Sequence, residues 1–135
     1  MPATLTWFHQ PRVIHERFFD KVTLADISAM SVDADALLRT GTTPVHTIID
    51  LTDVTWLPQN LAKIREAMRV PPHPSRGWVV LIVPPHNPII QVIGDFAGQI
   101  RSVNDQYQVV HTLHEAILLL NAHEPALALT PADST

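Results

Sequence analysis

Two short runs constrain this chain more than any other feature: Val45 to Leu51, VHTIIDL, and Trp78 to Val83, WVVLIV. Both are dominated by apolar and β-branched residues, and both are too short for an ordinary helix. Runs of this kind read as strands buried on both faces, as in a parallel sheet with helices packed against it. The more apolar of the two, WVVLIV, is expected at the centre of that sheet.

The segments downstream of each run support the same architecture. After the first, Leu61, Ile64 and Met68 fall on one helical stripe while Lys63, Arg65, Glu66 and Arg69 lie off it, as in an amphipathic covering helix. The stretch VPPHPSRG, Val70 to Gly77, is interrupted by three prolines and a glycine and reads as a loop. After the second run, Asn87 and Pro88 open a helix carrying Ile89, Ile93, Phe96 and Ile100 on one face. Gly94 and Gly98 make a small-residue stripe on it, read as close packing inside the domain. Tyr107 to His111 is a last strand, and Thr112 with Glu115 has capping-box spacing ahead of Ala116, Ile117 and Leu120.

Upstream, LTWFH and RVIHERFF are two strands of an antiparallel hairpin separated at Gln10 and Pro11. Thr23 and Asp26 then start a helix that stops at Gly41. The fold class is therefore α/β: a single domain with a mixed sheet of about five strands, an N-terminal antiparallel hairpin followed by strand-helix repeats, and about four helices. At 135 residues the chain suits one core. The domain is expected over residues 1–122. Residues 123–135, with two prolines and few apolar groups, are expected to form a flexible C-terminal tail.

Composition excludes several functions. A net charge of -4 supplies no broad basic field, so nucleic acid is not an expected partner. The absence of cysteine removes disulfides, thiolate metal sites and a cysteine nucleophile. The amino terminus has no signal-peptide pattern and no apolar run is long enough to span a bilayer. A soluble, cytoplasmic protein without membrane insertion is expected.

The segment Ile49-Asp50-Leu51-Thr52-Asp53-Val54-Thr55-Trp56 resembles the STAS family, the sulfate transporter and anti-sigma factor antagonist domains, whose central strand ends in an aspartate-leucine-serine/threonine-x-valine run before the second helix. The likeness continues through Trp78 to Val83 and through Val109 to Leu120, and spans about Leu5 to Leu120. It implies a mixed sheet with packed helices, and a role in protein interaction without turnover. In the phosphoregulated members an aspartate followed by serines precedes the second helix and one serine accepts phosphate. Here those positions read Pro58-Gln59-Asn60, which contain no hydroxyl.

Asp50 at the end of a buried strand also invites comparison with receiver domains, but neither the acidic pair nor the final lysine of that chemistry is present. A loop-capping carboxylate is the simpler reading. His111, His114, Glu115 and His123 are near one another in sequence, yet a strand end and a helix start need not converge, so no metal and no cofactor is expected. No nucleophile elbow or phosphate-binding glycine loop occurs. The leading expectation is a non-enzymatic interaction or regulatory module whose partner is a protein, with self-association into a homodimer as one mode. Its surface is assigned to Asp53, Thr55, Trp56, Pro58, Gln59, Asn60 and Lys63, with the Trp56 ring read chiefly as a core plug. The alternatives are a binder of a small apolar ligand or lipid, and a small hydrolase or phosphotransfer enzyme using Asp50, Asp53 and a histidine such as His86.

Overall fold

The computed structural model describes residues 2–68, 76–85 and 106–130. Strands β1 (Ala3–His9) and β2 (Val13–Lys21) form the antiparallel hairpin. They are followed by α1 (Leu24–Leu38), β3 (Val45–Trp56), α2 (Leu61–Ala67), β4 (Arg76–Ile82), β5 (Tyr107–Val110), α3 (Leu113–His123) and a 3-10 turn at Pro125–Leu127. The five strands lie side by side in chain order, and β2–β3, β3–β4 and β4–β5 are all parallel. The mixed α/β sheet is thus the one the sequence implies. The helix expected from Asn87, with Gly94 and Gly98, and His86 lie outside the described residues.

The centre of the sheet is β3, one place away from the expected WVVLIV strand. Both strands have a neighbour on each side and a helix layer on each face, so apolarity alone does not rank them. Ile49, Leu51, Val79 and Leu81 pack with Ile27 and Met30 of α1 and Ile64 of α2. Their strand neighbours Ile48, Val80 and Ile82 pack with Ala116, Ile117 and Leu120 of α3. Side chains alternate across a strand, and here both faces find apolar cover, which is why the polar alternation is missing.

Beyond Asp50 the alternation is reset. Arg17 pairs with Asp50 but Phe19 pairs with Asp53, so two steps on β2 match three on β3. This bulge brings Leu51 and Val54, three residues apart, into the same core. Strand β3 consequently runs on to Trp56, five residues past the expected end at Leu51.

Helix starts agree closely with the sequence signals. Thr23 and Asp26 form a reciprocal capping box. The Thr112 hydroxyl accepts the Glu115 N–H at 3.1 Å, while Glu115 Oε2 accepts the N–H of His111 at 2.7 Å, one residue earlier than a standard box requires.

The expected flexible tail is corrected for its first eight residues. Leu127 and Leu129 are buried in the α3 side of the core, at 4% and 5% exposure. Asn121 clamps this turn: its Nδ2 donates to Leu129 O and its Oδ1 accepts the Leu129 N–H, each at 2.9 Å. Leucines placed around a 3-10 turn have no helical or strand period, so periodicity misses them.

Candidate functional site

The residues assigned to an interaction surface fall on three successive pieces of chain. Asp53, Thr55 and Trp56 are on the last turns of the β3 ribbon, outside the loop where the sequence reading put them. Pro58 and Gln59 are in the connection, Asn60 caps α2, and Lys63 is in its first turn. Asp53, Thr55, Trp56, Gln59, Asn60 and Lys63 are exposed, whereas Pro58 is buried.

Trp56 corrects the core-plug reading. It is 43% exposed, and Lys21 Nζ stands 5.0 Å from its ring centroid. The core position at this corner is taken by Leu57, 7% exposed, because a second register shift, with Asp20 opposite Val54 and Lys21 opposite Trp56, turns the inward phase of the strand once more. Beside Trp56, the Arg17 guanidinium donates to Asp53 Oδ2 at 2.6 Å and stands 5.6 Å from the Phe19 ring. Charged groups over the exposed Trp56 ring and the half-buried Phe19 ring give this edge both an apolar body and a polar rim.

Asn60 has a structural duty as well. Its Oδ1 accepts the Lys63 N–H at 3.1 Å, satisfying a free donor of the first turn.

Asp50 acts as the local cap that the sequence suggests, though within β3 and not at its end. Its Oδ1 accepts both the N–H and the hydroxyl of Thr52, and Oδ2 lies 3.8 Å from His15 Nε2, beyond hydrogen-bond length. Burial opposes ionisation of Asp50, but His15 and the two Thr52 donors prevail and lower its pKa. The histidines considered for metal go separate ways. His111 Nδ1 is 3.1 Å from Val83 O, and His123 stacks on Trp78 with centroids 3.7 Å apart. Among the described residues no group of three or more His, Cys, Asp or Glu side chains converges in a way that could hold a metal ion.

A buried polar cluster at the opposite end of the sheet was not anticipated. His46, 2% exposed, accepts the Trp78 N–H on Nδ1 at 2.9 Å, so its proton resides on Nε2 and is donated to Glu124 Oε2 at 2.6 Å. The other Glu124 oxygen takes the Arg12 guanidinium, whose Nε donates to Pro44 O. Desolvation raises the pKa of Glu124, but His46 and Arg12 outweigh it and hold the carboxyl below its usual range. With both ring nitrogens engaged, His46 is a tie between β3, β4 and the chain beyond α3. A histidine inside an otherwise apolar run was the available signal.

Gly77 makes room for that ring. A Cβ built there would stand 2.4 Å from His46 Nδ1 and 2.6 Å from Cε1. Gly77→Ala is expected to cost about 2 kcal/mol by overpacking. Chemical denaturation measures it, and a variant of unchanged stability would show that the ring can move aside.

No family model matches the chain, and no curated protein matches it. Solved structures do. An uncharacterized protein of the DUF3478 family with a SpoIIAA-like fold, from Shewanella loihica PV-4, aligns with TM-score 0.56 and 16% identity, covering 87% of this chain and 91% of that one. The Bacillus cell fate determinant SpoIIAA in its phosphorylated form aligns with TM-score 0.51 and 14% identity over 87% and 98% of the two chains. The anti-sigma factor antagonist SpoIIAA in its unphosphorylated form gives 0.53 and 14% over 89% and 96%. Among the described residues no helix is long and apolar enough to cross a membrane. Strand order, hairpin and helix placement together agree with these alignments, and the chain has the SpoIIAA-like fold that its likeness to the STAS family implied.

Proposed function

We propose that the chain is a non-enzymatic, STAS-type regulatory module, cytoplasmic, that binds a protein partner through the edge formed by the end of β3 and the start of α2. The observation that carries this reading is Trp56: a large ring, 43% exposed, flanked by Lys21, with Asp53 and Arg17 beside it. Half-exposed tryptophans with polar rims are the usual anchors of protein interfaces. The fold, shared with an anti-sigma factor antagonist, supports a regulatory role. Because Pro58, Gln59 and Asn60 have no hydroxyl, the module is read as acting without a phosphoryl switch at the entry of α2. Phosphate mapped by intact-mass spectrometry to Thr52, Thr55 or Asp50 after incubation with a serine kinase or a small phosphodonor would overturn that part.

The binding test compares pull-downs by wild type, Trp56→Ala and the double variant Gln59→Ala, Lys63→Ala. The double variant is expected to melt within about 0.5 kcal/mol of wild type, since both side chains are exposed. Loss of the same specific partner in both variants supports the surface, and full recovery from both places the function elsewhere. Asn60→Ala is a poorer probe, because loss of the cap is expected to cost about 1 kcal/mol in its own right.

A further inference from the structure

Under α1 and α2, on the opposite face of β2 from Arg17, two adjoining cavities share Glu16, Ser31, Ile49 and Met68. The larger, of ≈ 60 Å³, is walled by aliphatic and aromatic groups including Phe18, Ile27, Leu57 and Ile64. The smaller, of ≈ 30 Å³, reaches Thr47, Arg76 and Tyr107. A single space therefore has an apolar end and a polar end. At the polar end Arg76 Nε is buried without a hydrogen-bond partner. Among the described residues no hydrogen bond or ion pair ties Glu16 to Arg76; the two act on each other only through space. Buried polar atoms in proteins are nearly always satisfied, so a guanidinium donor left over beside an apolar cavity indicates a missing acceptor.

We propose that this cavity binds a short amphipathic monocarboxylate, its carboxylate accepting from the Arg76 guanidinium and its aliphatic tail lying among Phe18, Ile27, Leu57 and Ile64. The site is independent of the Trp56 edge. A carboxylate is favoured over other head groups by the two charges present. Arg76 repels an amine, and a doubly charged phosphate would meet Glu16. A single carboxylate meets Glu16 on good terms when that residue is protonated. Desolvation pushes the Glu16 carboxyl up to about 7, against the lowering pull of Arg76, so near neutrality much of it is in the acid form and can donate its O–H to the ligand. Among the described residues lining this space, the ionisable groups besides Glu16 are Arg76 from β4 and Tyr107 from β5; α1 presents Ser31, α2 presents Met68, and β3 presents Thr47 and Ile49. Ser31 already donates to Ile27 O at 3.0 Å and can only accept. The space is smaller than the roughly 150 Å³ apolar cavity that takes benzene, which points to a short tail.

Titration calorimetry on the whole chain with propanoate and butanoate, against butanol and butylamine, tests the assignment. At about pH 6 butanoate is expected to bind more tightly than either neutral or cationic analogue, and Arg76→Ala to weaken it about tenfold or more. Affinity is expected to fall as pH rises from about 6 to 8.5, because ligand binding takes up the Glu16 proton. Glu16→Gln, which keeps a donor, should bind and lose that pH dependence. Ile64→Trp should fill the apolar end and abolish binding. Circular dichroism and melting confirm that each variant is folded. No binding of either carboxylate at millimolar concentration, equal binding of butylamine, or unchanged affinity in folded Arg76→Ala would each overturn the proposal.

Discussion

Cutting the chain after Ala122 is expected to lower its stability by about 5–7 kcal/mol. The removed segment carries Leu127 and Leu129, both buried against α3 and the sheet, and each worth about 2 kcal/mol in burial. It also carries Glu124. Without that carboxylate the buried His46 Nε2–H and the Arg12 guanidinium lose their shared acceptor, and an unpaired buried donor costs about 1–3 kcal/mol more. For a chain of this size each kcal/mol moves the melting midpoint by about 3–5 °C, so a fall of more than 10 °C is expected in differential scanning calorimetry. The paired substitution Leu127→Ala with Leu129→Ala should reproduce most of the loss while leaving Glu124 in place. A midpoint that does not move in either variant would mean that residues 123–130 add nothing to the fold, and would return the domain boundary to Ala122.

The second large effect is a loss of stability with rising pH that originates in Glu16. Its carboxyl is raised from an ordinary 4.5 to about 7 by burial. The folded state therefore holds this proton more tightly than the unfolded chain. Stability contributed by the bound proton is complete below pH 4.5, declines as pH rises toward 7, and is absent above it. At 1.36 kcal/mol per pKa unit the decline has an upper bound of about 3 kcal/mol, reduced by whatever water reaches this half-buried residue. Glu16→Gln removes the charge that has to be buried. It should match wild type near pH 4 and exceed it by about 2 kcal/mol at pH 8. Asp26, Asp50 and Glu124 act in the opposite sense: their lowered pKa values contribute stability that is lost as pH falls through their folded values. Wild type minus Glu16→Gln isolates the Glu16 contribution from theirs. Urea melts at a series of pH values make the comparison, and parallel curves for the two proteins would show that Glu16 ionises freely in the folded chain.

How much of this was legible in the sequence depended on whether the deciding interaction is local. The capping pair Thr23 and Asp26, the helical stripe through Ile64 and the apolar runs on β3 and β4 are determined within a few residues, and the sequence sufficed to read them. The N-terminal hairpin and the mixed character of the sheet were legible too, whereas the strand order was not, and the strand expected at the centre lies one place off it. The exposure of Trp56 was not legible, because it hinges on two mismatches in pairing between β2 and β3, one after Asp50 and one after Val54, that have no trace in either strand taken alone.

The sequence by itself determined the α/β class, the hairpin, the described helix starts and the absence of cysteine chemistry, because each rests on composition or on residues close to one another along the chain. Tertiary structure decided which strand is central and that Trp56 faces solvent while Leu57 fills the core. It also decided that Leu127 and Leu129 dock, that Glu124 reaches back to His46 and Arg12, and that Glu16 and Arg76 share one cavity. Each of these joins residues far apart in the chain through burial or charge, and 78 residues separate His46 from Glu124. Periodicity reports which face of an element is apolar, but only packing determines what that face meets.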